Sequence, residues 1–141
     1  MKVRHLLLIL ASLFVSTIGF SQKAEAGKKD NLLFLLRQTE HINQALKTVD
    51  QLQSNAQTTL TPGNIVIVVC GEAVTKLGTQ EAVKWVTKIK RHPHVSILAC
   101  GLSLTKFNKS EKDLVPGIGY TENGFIKAFE LQKQGYLSVE L

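Results

Sequence analysis

The chain has 141 residues, of which 44% are hydrophobic and 20% charged, with a formal net charge of +6. A chain of that size encloses a single core, and it contains no repeat, linker or low-complexity segment. The densest basic groups, at 27–30 and 88–94, lack the interleaved aromatics of a single-strand platform, so a solvated basic face is expected and no nucleic-acid partner.

The first 26 residues have the pattern of a secretory signal peptide. Lys2 and Arg4 precede an apolar run from Leu6 to Phe20, and small residues suited to cleavage follow, ending at Ser21 or Ala26. The run is roughly 15 residues, short of the ~20 that a membrane-crossing helix needs. The expectation is an exported protein, periplasmic or secreted, with no membrane attachment after cleavage. Its mature part is one domain over 27–141, carrying +4 once Lys2, Arg4, Lys23 and Glu25 are removed.

Within that domain, Asn31 to Gln38 and Asn64 to Gly71 are short, continuous apolar runs, the pattern of strands buried on both faces. After the first, Ile42, Ala45, Leu46, Val49 and Leu52 recur at helical spacing, with Thr39 as the expected N-cap. After the second, Ala82, Val83, Val86 and Ile89 form a similar stripe, with Thr79 able to cap and Pro93 closing the segment. Val95 to Cys100 makes a third strand. A short helix stopped by Pro116, a weak strand around Tyr120, a helix ended by Gly135 and a last strand from Tyr136 complete the chain. This alternation predicts an α/β fold, a parallel sheet with helices on both faces. Trp85 reads as a core or subunit-interface residue, and with Phe125 and Phe129 it is a large group available to cover apolar surface against a second subunit, so a homo-oligomer is expected.

Ligands and reactive groups in open parallel sheets gather beyond the carboxyl ends of the strands. Both cysteines fall there. Cys70 closes the second strand and Cys100 the third, and each is followed by a glycine that lets the chain turn and present backbone N–H groups to an anion. A thiolate is such an anion, and Gly101, Ser103 and Lys106, in the segment after Cys100, are candidate supports. On position alone Cys100 is a buried small side chain, half of a disulfide or a reactive thiol; for Cys70 the buried side chain leads. His41, after the first strand, is a weak candidate base or proton donor, beside its plainer reading as a solvent-facing residue of a helix's first turn. Glu40 and Glu72 read as helix-start or rim charges, and His92 and His94 as a surface loop without a third metal ligand. No Gly-rich phosphate loop follows the first strand, so no flavin, nucleotide or other cofactor is expected.

The segments "RQTEHINQALKTV", "IVIVVCGEAVTKL", "VSILACGLSLTKF" and "DLVPGIGYTENGFIKAFELQKQGYLSVEL" together resemble the DsrE/DsrF-like sulfur-relay proteins over nearly the whole mature chain. The resemblance implies a flavodoxin-like, three-layer α/β/α fold that assembles into homo-oligomers. It also implies a persulfide carried on the cysteine after the third strand, here Cys100, with protein sulfur donors and acceptors as partners. The alternative is a non-catalytic module that keeps the fold and binds a small ligand or a partner protein. With a five-stranded sheet in an order resembling 2-1-3-4-5, the first strand would separate the two cysteine-bearing strands by two spacings of ~4.8 Å. That exceeds the ~7 Å a disulfide spans between Cα atoms, so a resting Cys70–Cys100 bridge is not expected.

Overall fold

The computed structural model describes residues 27–54 and 58–141; the expected signal peptide, 1–26, lies outside the described residues. The apolar runs become strands β1 (Asp30–Leu36), β2 (Pro62–Val69) and β3 (Val95–Cys100), joined by β4 (Gly119–Thr121) and β5 (Leu137–Glu140). Every neighbouring pair is parallel. Helices α1 (Thr39–Gln53), α2 (Gln80–Ile89), α3 (Gly101–Lys106) and α4 (Gly124–Lys133) form the crossovers, and 3₁₀ turns occupy Gly71–Lys76 and Glu111–Asp113. The α/β fold with a five-stranded parallel sheet between helical layers is therefore as expected. The short helix before Pro116 is reduced to one 3₁₀ turn, held by a capping box between Ser110 and Asp113.

Strand order departs from expectation. It is β4-β3-β2-β1-β5, so β2 and not β1 lies beside β3. The reason is visible in the helices. With right-handed crossovers, successive steps in one direction across a sheet leave their helices on one face, and a reversal moves the next helix to the other. Here α1 and α2 share a face: Ile42, Ala45 and Val49 of α1 and Ala82, Trp85 and Ile89 of α2 belong to one core with Leu36, Ile67, Val69 and Ile97 of the sheet. The Trp85 Nε1–H donates to Asn43 Oδ1 at 2.9 Å, tying the two helices side by side. An order of 2-1-3 would have sent them to opposite faces. Only the connection from β4 to β5 reverses direction, and α4 accordingly packs on the other face.

Trp85 is thus sealed in the core, 3% exposed, and does not serve a subunit interface, whereas Phe125 and Phe129 of α4 stand out at 41% and 69%. The caps also differ in detail. Gln38 occupies the N-cap of α1, with Thr39 already helical. Thr79 does hold the N-cap of α2, but its hydroxyl donates to the Lys76 carbonyl at 2.7 Å instead of accepting from the helix. No helix among the described residues is long and apolar enough to cross a membrane.

The second core is small. Leu33 and Leu35 of β1, Val66 and Val68 of β2 and both cysteines pack under Ala128 and Leu131, so α4 covers this face by itself.

Candidate functional site: paired thiols at the carboxyl edge of the sheet

The register of β2 on β3 pairs Ile65 with Val95 and runs unbroken to Val69 with Ala99. One residue further stand Cys70 and Cys100. Because side chains alternate along a strand, both sulfurs project to the α4 face, where both cysteines are 1% exposed. The separation expected from the sheet order is therefore wrong. The two strands are neighbours, the residues are in step, and the thiols are free.

Backbone geometry fits the chain around the sulfurs. Gly71 turns the chain sharply after β2 with φ +57°, and a Cβ there would lie 2.9 Å from the Arg37 carbonyl, so only glycine can make the turn. On the other side, Gly124 opens α4 directly over the pair. A Cβ at Gly124 would lie 2.5 Å from Cys70 Sγ and 3.1 Å from Cys100 Cβ. The absent side chain lets the Gly124 N–H donate to Cys100 Sγ at 3.2 Å. Asn123, the N-cap of α4, accepts from Phe125 and Ile126 through its Oδ1, which orients that first turn.

These contacts divide the two thiols. For Cys100, burial raises the pKa, but the hydrogen bonds from the Gly124 N–H, the Ser103 backbone N–H and hydroxyl, and the Cys70 thiol outweigh it and hold the pKa below the usual thiol value. For Cys70, burial and then the neighbouring Cys100 charge push the pKa up to about 12. Cys70 is the proton holder, and Cys100 is the more readily ionised of the two. Ser103 has a second task, accepting from the Gly71 N–H at 2.9 Å, so its hydroxyl links the loops after both cysteines.

Of the other expected residues, Gly101 is buried as the first residue of α3, with Tyr120 filling the space a side chain would need. Lys106 lies over the Phe107 ring, 5.9 Å from its centroid, and is not among the groups acting on either sulfur. His41 is not among them either; its Nδ1 is buried without a hydrogen-bond partner. The cation beside the pair is Arg37, at the end of β1, which lowers the Cys70 pKa against the larger effects of burial. Arg37 pairs with Glu140 and stacks over the Phe125 ring at 5.4 Å. Arg37 and Gly124 went unnoticed in the sequence, although Arg37 follows the buried face of β1 at an alternate position, Leu33, Leu35, Arg37, and so shares the face of the sulfurs. His92 contacts Asp50 at 3.3 Å, and no group of three or more potential metal ligands occurs among the described residues.

The chain is similar in structure to a protein of unknown function from Methanobacterium thermoautotrophicum, with a TM-score of 0.67 and 16% identity over 81% of this chain and 100% of that one. A conserved protein of unknown function from Bacteroides thetaiotaomicron is also similar, with a TM-score of 0.58 and 17% identity over 79% of this chain and 95% of that one. At these identities the likeness establishes a shared α/β fold. No protein-family model and no curated protein matches the chain.

Proposed function

We propose that this protein is an exported sulfur carrier or thiol-redox protein of the DsrE/DsrF-like kind, holding a persulfide or mixed disulfide on Cys100. The observation that carries the reading is the set of donors converging on that sulfur, the N–H of Gly124 and the N–H and hydroxyl of Ser103. A thiolate so held is the nucleophilic form of cysteine. It attacks a sulfur–sulfur bond in a polysulfide or a disulfide, forms a new bond at Cys100 Sγ and expels the other sulfur as an anion. Because Cys100 is 1% exposed, the exchange requires the first turn of α4 to move aside.

The test is the intact mass of the protein after polysulfide treatment. Added sulfur, or the loss of two hydrogens, in the wild type and not in Cys100→Ser supports the reading; an unchanged mass, or a change that persists in Cys100→Ser, sinks it.

Assembly is the second part of the proposal. Leu102, Tyr120, Phe125, Ile126 and Phe129 are exposed on and around α4, beside a groove of about 470 Å³ between α3 and α4. Exposed apolar side chains of this size favour association, here as a homo-oligomer through the outer face of α4. The same surface is what a non-catalytic binding module would use. Light scattering separates them: a mass that Phe129→Glu reduces to the monomer supports self-association, and a wild-type monomer at micromolar concentration removes it.

A further inference from the structure

A sulfur carrier needs one cysteine, and this chain places a second beside it on the next strand. We propose that Cys70 is the resolving thiol for Cys100, closing a reversible Cys70–Cys100 disulfide that expels whatever sulfur group Cys100 has accepted. The inference rests on Cys100 being the reactive sulfur.

Its basis is geometric. Adjacent strands lie ~4.8 Å apart, inside the 4.4–6.8 Å range of Cα separations that disulfides span. The register carries β2 and β3 in step up to the residues before the cysteines, both side chains belong to the same small core, and each sulfur or its Cβ lies within about van der Waals reach of one point above Gly124. Glycine at 124 leaves no side chain between them. The surrounding chemistry agrees: the two thiols stand close enough to act directly on each other's ionisation.

The Cys100 thiolate attacks a disulfide R–S–S–R, making Cys100–S–S–R and releasing R–S⁻. Cys70 then attacks Cys100 Sγ, the Cys100–S–R bond breaks, and a second R–S⁻ leaves with the proton that Cys70 gives up. Two protein thiols are oxidised and the substrate disulfide is reduced to two thiols. When Cys100 carries a persulfide, the leaving group is hydrosulfide. Occupants of Cys100 are thus short-lived in the wild type, and the substrate class is a small or protein disulfide or a sulfane-sulfur compound. An external dithiol reductant resets the pair.

The experiment uses the reduced full mature chain and its Cys70→Ser variant, each incubated with oxidised glutathione and read by intact mass and peptide mapping. The wild type should become two hydrogens lighter with no adduct, and Cys70→Ser should accumulate one glutathione on Cys100. A wild type that keeps the adduct on Cys100, with Cys70 still open to alkylation after unfolding, overturns the inference while leaving Cys100 reactive. An unmodified Cys100 in both proteins is instead a failure of the reactive-sulfur reading, and the inference falls with it. As a measurement that needs no variant, thiols of the wild type are counted across a series of glutathione redox buffers. Loss of both thiols in one transition supports the pair, and loss of one thiol ahead of the other refutes it.

Discussion

Gly124→Ala probes the structure where packing and thiol chemistry meet. The new Cβ would sit 2.5 Å from Cys70 Sγ, 3.0 Å from Val68 Cγ1 and 3.1 Å from Cys100 Cβ. The first of these is closer than any real contact, and Val68 is fully buried in the sheet, so the start of α4 must lift or the Cys70 sulfur must move. Overpacking of this kind costs roughly 1–3 kcal/mol. Alanine recovers part of that, since glycine is about 1 kcal/mol poorer in a helix interior, and less at a first position such as this. A net loss of about 1–2 kcal/mol follows, which at roughly 4 °C per kcal/mol lowers the melting temperature by about 4–8 °C. Lifting the turn also stretches the Gly124 N–H bond to Cys100 Sγ, so the pH midpoint of Cys100 alkylation should rise. Thermal melting by circular dichroism and the pH profile of iodoacetamide labelling read the two effects. A variant that melts higher than the wild type and labels with an unchanged midpoint refutes both the packing and the electrostatic reasoning.

Ser103→Ala should raise the Cys100 alkylation midpoint and destabilise by about 1–2 kcal/mol, because the part-buried Gly71 N–H loses its acceptor; urea denaturation and labelling check the two outcomes. Asn43→Ala should cost about 1–3 kcal/mol by stranding the buried Trp85 N–H, and an unchanged urea midpoint would contradict the tie between α1 and α2. The cysteines give opposite pH signatures. Cys70 keeps its proton in the folded state up to about 12, whereas the unfolded thiol loses its own near 8.5, so from about 8.5 to 12 the unfolded state binds fewer protons and stability falls as pH rises, by at most about 5 kcal/mol. Cys100, with its folded pKa depressed, adds stability that is present above the unfolded value and lost as pH falls through the folded one. The difference in unfolding free energy between wild type and Cys70→Ala, followed from pH 8 to 12, isolates the first effect; parallel curves would exclude a raised Cys70 pKa.

Much of the scaffold is readable from apolar runs and turn residues. Val95 to Cys100 is a strand with the bounds its composition implies, and both cysteines stand at strand ends, because buried parallel strands announce themselves by continuous apolar residues. Strand order is a different matter. It is decided by which faces the helices choose, and that choice shows only in long-range contacts such as the one between Asn43 and Trp85, 42 positions apart. The same long-range step hid the site's other members. Arg37 follows a strand as charged residues commonly do, and it reaches Cys70 through the pairing of β1 with β2; Gly124 opens a helix as small residues commonly do, and only the β4-to-β5 crossover, carrying α4 back across the sheet, brings it to the sulfurs. His41, nearer the first strand's end in sequence, belongs to the helix on the opposite face.

The placement of α4 has a consequence for how the chain acquires its structure. Strands β1, β2 and β3 are contiguous in order and joined by local crossovers, so they can pair early, while the helix over the thiols lies at 124–133 and β5 must pair with β1 across about a hundred intervening residues. Contacts of such sequence separation form late. Until α4 docks, a paired β1–β2–β3 sheet would present Cys70, Cys100 and the apolar residues Leu33, Leu35, Val66 and Val68 to solvent. Under oxidising conditions the thiols would then be most open to adventitious modification, and any group attached would obstruct the docking of Gly124. Completion of the fold thus depends on the chemical state of two thiols that the last helix must close over.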